Sequence, residues 1–339
     1  MQFHSFHQVS HVSERTIAWG FVGCGSVTER KSGPAFSQVP GSRVVAVMRR
    51  DAAKAQDYAR RHGISRWYDD ADRLINDPEV NAVYVATPPS THMLYALKAI
   101  AAGKPVYIEK PMAMDHRQCA RILAASEEAG VPVFVAYYRR ALPRFVQVQQ
   151  LLSAGTLGAL RTVRTALYRT HHPESQSPSF WRTQPGIAGG GLFMDLGSHT
   201  LDLLDFLLGP LTLQGSTAGN LGGWYEAEDT VSLCFQAANG VQGVGQWGFS
   251  SFRALDEVEI TGDAGVMTFS TFGDGPVVVT TAEGTRVLEF LNPQAIQQPL
   301  ITQVVAELQG VGRSPSTGYS AARTSALMDG VLADYRSGR

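Results

Sequence analysis

Cysteine is scarce in this chain of 339 residues: Cys24, Cys119 and Cys234 are odd in number and far apart. Such a set offers neither a disulfide framework nor metal-ligand spacing, and it suits a reduced, cytoplasmic setting. Each reads as a small buried residue, not a nucleophile or ligand. An excess of one charge is also missing. The net charge of −1 gives no electrostatic case for nucleic acid or an anionic membrane. No stretch approaches the ~18 consecutive apolar residues of a membrane helix, so a membrane span is not expected. The opening Met1–His11 lacks a basic start followed by an apolar run, and no secretory signal is read there. Residues 1–15 read as a disordered leader. Repeats, low-complexity tracts and long charge runs are absent as well.

What the chain does have is alternation. Its length is comfortable for two domains. Apolar runs at Ile17–Val22, Arg43–Met48, Ala82–Thr87, Pro105–Glu109 and Val131–Ala136 read as short buried strands. Helical patterns at Ala52–His62, Ala71–Asn76, His92–Ala102 and His116–Ala129 separate them. That order predicts an α/β unit over 16–137, a parallel sheet with helices on both faces. From 138 to 339 the character changes. A helix at Leu142–Ser153 precedes a strand near Arg161–Arg169 and a loop rich in His, Pro and Ser. Strand-like stretches follow around Val231–Ala237, Val241–Phe249, Glu257–Thr261, Val266–Thr271, Val277–Thr280 and Arg286–Phe290. Asn239-Gly240 and Gly262-Asp-Ala-Gly265 supply turns. Helices at Gln298–Val311 and Tyr319–Arg336 close the chain. This half reads as α+β with a large, mostly antiparallel open sheet. A broad apolar sheet of that kind argues against a lone monomer.

Two segments carry chemistry. Trp19-Gly-Phe-Val-Gly23-Cys-Gly25-Ser26-Val27-Thr28 follows the first strand and opens a helix. Gly23 and Gly25 allow a tight turn, so that backbone N–H groups at Ser26 and Val27 can approach a pyrophosphate. Thr28 stands at the third glycine position, so the motif is incomplete and a plain glycine-rich turn is the alternative. The second strand ends Met48-Arg49-Arg50-Asp51, where an NAD enzyme usually places an acid for the ribose hydroxyls. Two guanidiniums there suit a 2′-phosphate, which predicts NADP over NAD, with Asp51 still able to reach a ribose. The other segment is Gly189-Gly-Gly-Leu-Phe-Met-Asp195-Leu-Gly-Ser-His199-Thr-Leu-Asp202. At about 100° per residue, His199 lies roughly 40° from Asp195 and Asp202 roughly 20° to the other side. Three aligned titratable groups on a largely buried helix need a use, although an N-terminal cap with a solvated edge is the plainer reading.

Ala102-Gly-Lys-Pro-Val-Tyr-Ile-Glu109-Lys110-Pro111 completes a pattern. Together with Gly23-Cys-Gly25, Thr87-Pro-Pro-Ser-Thr-His92 and Gly189–His199, it resembles the glucose–fructose oxidoreductase/inositol dehydrogenase/rhizopine catabolism (Gfo/Idh/MocA) family from about residue 16 onward. The resemblance implies an N-terminal Rossmann domain over 16–137 and a substrate-binding and oligomerisation domain over 138–339. It implies assembly as a homodimer or homotetramer. It places Lys110 beside the nicotinamide, with Asp195 and His199 as the matching pair from the second domain. Thr87, Pro88, His92 and Glu109 join Gly23, Gly25, Ser26, Val27, Arg49, Arg50 and Lys110 as expected cofactor contacts. Trp181-Arg182 resembles the family's Trp-Arg pair, and Tyr138 stands where family members often have Asn. Tyr138, Arg140, Trp181, Arg182, Asp195 and His199 are the expected substrate contacts. The motif also implies a cis peptide bond before Pro111.

Oxidising a secondary alcohol removes a proton from O–H while hydride leaves the adjacent carbon. His199 is the expected general acid/base, with a pKa near working pH. Lys110 would hydrogen-bond the reacting oxygen, and Asp195 would position the substrate hydroxyl or the imidazole. Asp202 either sets the imidazole tautomer or forms a helix-surface salt bridge. The alternative gives proton transfer to Lys110, whose pKa would have to fall from about 10.4. His171-His172-Pro173 reads as a polar loop at the substrate entrance, since adjacent residues rarely converge on one ion, and no metal is expected. One reading is thus an NADP-dependent oxidoreductase (NAD possible) acting on a sugar, cyclic polyol or related diol. Another is a catalytically silent dinucleotide-binding sensor. A third recycles the cofactor within one turnover.

Overall fold

The computed structural model of the protein describes residues 16–338; the leader expected at 1–15 lies outside the described residues. Strand β1 (Ile17–Val22) is buried at every position, as befits a strand covered on both faces. It sits inside a six-stranded sheet with β2 (Ser42–Met48), β3 (Arg66–Tyr68), β4 (Ala82–Val85), β5 (Val106–Ile108) and β6 (Val133–Val135). The order is β3-β2-β1-β4-β5-β6, with every neighbouring pair parallel. Strand order reverses between β1 and β4, which opens a crevice at the carboxyl ends of the strands.

The crossovers carry α1 (Ser26–Arg30), α2 (Gly33–Gln38), α3 (Ala52–Arg61), α4 (Ala71–Ile75), α5 (His92–Ala101) and α6 (His116–Ala129). Asp51, Asp70 and Asp115 cap α3, α4 and α6 by accepting from the backbone N–H three residues on, which fixes where each helix starts. One face of the sheet packs an aromatic layer of Trp19, Phe21, Phe36, Tyr84 and Tyr107. The other packs aliphatic residues of α4, α5 and α6.

The second sheet has eight strands: β7 (Leu160–Tyr168), β8 (Leu211–Gly219), β9 (Thr230–Ala237), β10 (Gln242–Gly248), β11 (Leu255–Gly262), β12 (Gly265–Phe269), β13 (Val277–Thr281) and β14 (Gly284–Leu288). Their order is β14-β13-β12-β11-β7-β10-β9-β8. Only β7 and β10 pair in parallel. Helices α7 (Pro143–Ser153), α9 (Ser198–Leu208) and α11 (Gly318–Arg336) cover its inner face, while the short α8 (Pro185–Ala188) precedes the glycine cluster. The final pair crosses back. From α10 (Gln298–Leu308), Leu300, Ile301, Val304 and Val305 enter the Trp19 layer. Ala321 and Ala322 of α11 enter the opposite layer.

The outer face of the second sheet corrects the expectation of a broad apolar surface. Cys234, Gln236, Gln242 and Gln246 point outward, and Val244 is the exposed apolar residue among them. Strands β9 and β10 alternate in period two, so Val231, Leu233, Phe235 and Trp247 turn to the buried face. Cys234 is exposed there, whereas Cys24 and Cys119 are buried as expected. No described helix is long and apolar enough to cross a membrane.

Candidate active site

A cleft of about 640 Å³ opens at the carboxyl ends of β1, β4 and β5 and is closed on its far side by the second unit. Gly23 leaves β1 at φ +94°, and a Cβ there would fall 3.0 Å from the Ala86 backbone, so the β1 and β4 loops lie hard against each other. A Cβ on Gly25 would meet nothing within 4 Å, which leaves open space for a ligand beside the Ser26 and Val27 backbone. Thr28 does the packing of the third glycine. It is fully buried, its hydroxyl donates to Gly25 O at 2.9 Å, and its own carbonyl accepts from Tyr58 at 3.1 Å.

At the end of β2, Arg49 and Arg50 line the cleft, and Arg49 Nη1 donates to Cys24 O at 3.3 Å. Asp51 is occupied elsewhere, capping α3 and pairing with Lys54 at 3.0 Å. Thr87 and Pro88 also line the cleft. His92 does not, which corrects its assignment as a cofactor contact. It is the first residue of α5, faces inward, and joins Thr87 O (2.7 Å) to Pro111 O (2.9 Å). Burial lowers its pKa against the pull of those two carbonyls. It therefore ties the β4 loop to the β5 loop, where the Lys110–Pro111 peptide is cis.

Glu109 follows β5, is nearly buried and accepts from Tyr84 (2.6 Å), Gln297 (2.8 Å) and the Lys110 N–H (3.2 Å). Lys110 reaches across to the second unit. Its Nζ donates to Asp195 Oδ1 and, at 2.7 Å, to the Asp195 carbonyl. Arg182 approaches the other carboxylate oxygen at 3.3 Å while its guanidinium lies 4.4 Å over the Trp181 ring. Burial opposes ionisation of Asp195, but Lys110 and Arg182 outweigh it and hold the carboxyl below its ordinary range. His199 lines the same cleft, ringed edge-on by Tyr137, Tyr138 and Phe272 at 5.9, 5.5 and 5.8 Å. Burial, then the charges of Arg139, Lys110 and Lys31, push its pKa well below 6.5. That corrects the expectation of a value near working pH: the imidazole is neutral at pH 7.

Two further expectations give way to one network. Arg140 does not line the cleft; it is buried and donates to Asp202 (2.8 Å twice) and Asp205 (2.8 Å). Asp202 is 1% exposed, so it is no surface salt bridge, and its oxygens meet Arg140 and Thr324 while His199 Nδ1 has no partner among the described residues. A π turn over Phe193–Gly197 precedes α9 and carries one residue more than an α turn, so a single helical wheel across 195–202 fails. The cleft takes the neighbouring Arg139 instead, together with Lys31, Tyr95, Phe180, Phe272 and Gln297, none of them anticipated. One signal for the arginines was available. Asp202 and Asp205, one turn apart on a buried helix, require a buried cation.

Every other anticipated contact faces the cleft: Gly23, Gly25, Ser26, Val27, Arg49, Arg50, Thr87, Pro88, Glu109, Lys110, Tyr138, Trp181, Arg182, Asp195 and His199. Six cations, Lys31, Arg49, Arg50, Lys110, Arg139 and Arg182, stand against two carboxylates, Glu109 and Asp195. That excess fits a polyanionic dinucleotide. His171 stacks on Trp224 at 4.4 Å and His172 accepts from the Glu174 N–H. Among the described residues no three His, Cys, Asp or Glu side chains group as a metal site.

Comparison with known proteins agrees along the chain. The family model for the oxidoreductase family with an NAD-binding Rossmann fold matches residues 17–137, and the GFO/IDH/MocA C-terminal domain matches 145–268. Oxidoreductase P35 of Formosa agariphila is 36% identical over 320 residues, covering 93% of this chain and 98% of that protein. The 1,5-anhydro-D-fructose reductase of Ensifer adhaerens is 27% identical over 310 residues, covering 88% and 90%. Among solved structures, levoglucosan dehydrogenase in complex with NADH and levoglucosan superposes with a TM-score of 0.86 at 20% identity, over 96% of this chain and 98% of that one.

Proposed function

The chain belongs to the Gfo/Idh/MocA family of oxidoreductases, and from that premise we propose that it moves hydride between a nicotinamide cofactor and a secondary alcohol or ketone of a sugar, cyclic polyol or related diol. The observation that carries this reading is the meeting of Lys110, from the end of β5, with Asp195 and His199, from the second unit, in one cleft. When bound, the nicotinamide ring supplies the hydride acceptor or donor. Gly23, Gly25, Ser26 and Val27 would hold the pyrophosphate, Arg49 and Arg50 the adenosine end, and Thr87, Pro88, Glu109 and Lys110 the ring end.

In the oxidising direction the substrate carbon loses a hydrogen with its electron pair, and the O–H proton passes to neutral His199. Lys110 Nζ, anchored on Asp195, stabilises the charge that develops on the oxygen. Tyr138, Trp181 and Arg182 wall the substrate side. In reduction the imidazole returns the proton. The test is absorbance at the reduced-nicotinamide band across a panel of sugars and polyols. Reduction of cofactor by one or more of them is expected. A silent panel with intact dinucleotide binding would mark a binding relative without turnover, and product without net cofactor change would mark internal recycling.

NADP is favoured over NAD because Arg49 and Arg50 face the cleft while Asp51 is held as a helix cap. Arg49→Asp is expected to reverse the preference in kinetics with both cofactors; an unchanged ratio removes Arg49 from the argument. Three unpaired cysteines support a reduced, cytoplasmic setting. Burial pushes the Cys24 and Cys119 thiols up to about 11 and about 12, so neither is a ready nucleophile. Family membership supports a homodimer or homotetramer, which sedimentation would resolve.

A further inference from the structure

We propose that Arg139 is a carboxylate-reading residue and that the substrate is therefore a hydroxy acid, an aldonate, uronate or close relative, in place of a neutral sugar. This rests on the dehydrogenase reading and narrows its substrate class. Arg139 lines the cleft at 5% exposure, and among the described residues no carboxylate pairs with it. Its Nε donates to Thr271 O at 2.8 Å, while Nη1 is buried with no partner. Of its neighbours, Lys110 and Arg182 are matched by Asp195 and Arg140 by Asp202 and Asp205, while Arg144, buried and outside the cleft lining, donates to the Gly273 and Gly275 carbonyls. Asp256 is near but committed to the loop, accepting from the N–H groups of Thr271, Phe272 and Gly273 at 2.9, 2.7 and 3.0 Å.

A buried charge without a counter-ion is costly, and the protein retains this one in its substrate cleft. Tyr138 and Phe272 lie 4.8 and 4.3 Å from the guanidinium carbon, so ring faces cover it. With Nε engaged by Thr271 O and Tyr138 hydrogen-bonded to the guanidinium, Nη1 is the donor left without a partner, and a carboxylate can accept from it. The same two rings stand edge-on to His199 at 5.5 and 5.8 Å. The acid group therefore sits close to the carbon being oxidised. Burial, working against Arg139's own charge, lowers its pKa, the cost that an entering anion relieves.

The experiment uses the holoprotein with aldonates and uronates, the neutral sugars and alditols of the same carbon skeleton, and the matching sugar phosphates. Wild type is expected to prefer the acid over its neutral counterpart by about 10–100-fold in kcat/KM, the range of a charge-assisted hydrogen bond. Arg139→Gln is expected to abolish that preference mainly through KM, and Arg139→Lys to restore part of it. Equal use of acid and neutral compounds, or a preference for phosphates, overturns the proposal. So does an Arg139→Gln variant that slows both classes equally, because Arg139 would then serve only to hold the Thr271 loop. Calorimetric binding of the same compounds with oxidised cofactor present separates this inference from the reaction. Acid-selective binding lost in Arg139→Gln supports the carboxylate site even if no compound reduces cofactor, the result that would remove the dehydrogenase reading. Binding without acid selectivity overturns the carboxylate site.

Discussion

Arg140 is 4% exposed and holds both Asp202 and Asp205, with Arg323 and Thr324 as the only other side-chain partners of those carboxylates among the described residues. Replacing it by methionine preserves bulk and leaves two buried carboxylates short of their cation. Breaking such a pair from one side costs about 3–5 kcal/mol, so Arg140→Met should lose that much stability in urea, with Asp202→Asn recovering part of it. A loss below about 1 kcal/mol would mean that water or rearrangement satisfies the carboxylates. His199 offers a second test at this scale. Its folded pKa lies below the unfolded 6.5, so the neutral imidazole contributes stability fully present above pH 6.5 and lost as pH falls through the depressed value. Its service as base follows the same direction. The acid limb of kcat/KM for oxidation should fall below pH 6.5, and His199→Ala and Lys110→Ala should each reduce turnover at least ~100-fold. An acid limb at or above 6.5 that survives His199→Ala would assign the proton to another group.

The segment that delivers Asp195 and His199 depends on what lies behind it. Gly191 presses on the strand lead, where a Cβ would fall 2.5 Å from Glu228 O, and its N–H donates to both Glu228 carboxyl oxygens at 2.8 and 2.9 Å. Burial, working against that hydrogen bond, pushes the Glu228 carboxyl up to about 7. The folded value exceeds the unfolded one, so the contribution is complete below about pH 4.5 and lost as pH rises through 7. Glu228→Gln keeps an acceptor for Gly191 and cannot ionise. It should melt higher than wild type at pH 8, by at most about 3 kcal/mol, with the gap closing toward pH 4.5; a pH-independent gap would place the effect in packing. At this scale much was legible. The apolar run of β1 and the Asp-capped starts of α3 and α6 announce themselves because burial on both faces and cap chemistry act locally. Strand β3, only three residues long, and polar β8 at the edge of its sheet do not, since their pairing is set by neighbours distant in sequence. The π turn was equally hidden, because periodicity assumes the α repeat that it interrupts.

Across the whole molecule, the division near residue 137 seen in the sequence separates the two sheets but not the two cores. An amphipathic pattern shows that a helix packs without naming its partner, and α10 and α11 return to the first sheet. Leu300, Ile301, Val304 and Val305 complete the layer containing Trp19 and Phe36, and Gln297 donates to Glu109 at 2.8 Å beside the site. A fragment of residues 16–137 would therefore expose one apolar face of its aromatic layer and cost Glu109 its Gln297 donor, leaving it Tyr84 and the Lys110 N–H. Burying four such aliphatic side chains contributes about 6–12 kcal/mol by transfer scales, comparable with the whole stability of an ordinary domain. The fragment alone should accordingly lack a cooperative thermal transition and bind dinucleotide weakly. Supplying residues 290–338 through a flexible linker should restore both. Cooperative melting and full dinucleotide affinity in the unaided fragment would show that the dinucleotide unit is energetically independent, and that the C-terminal helices merely rest on it.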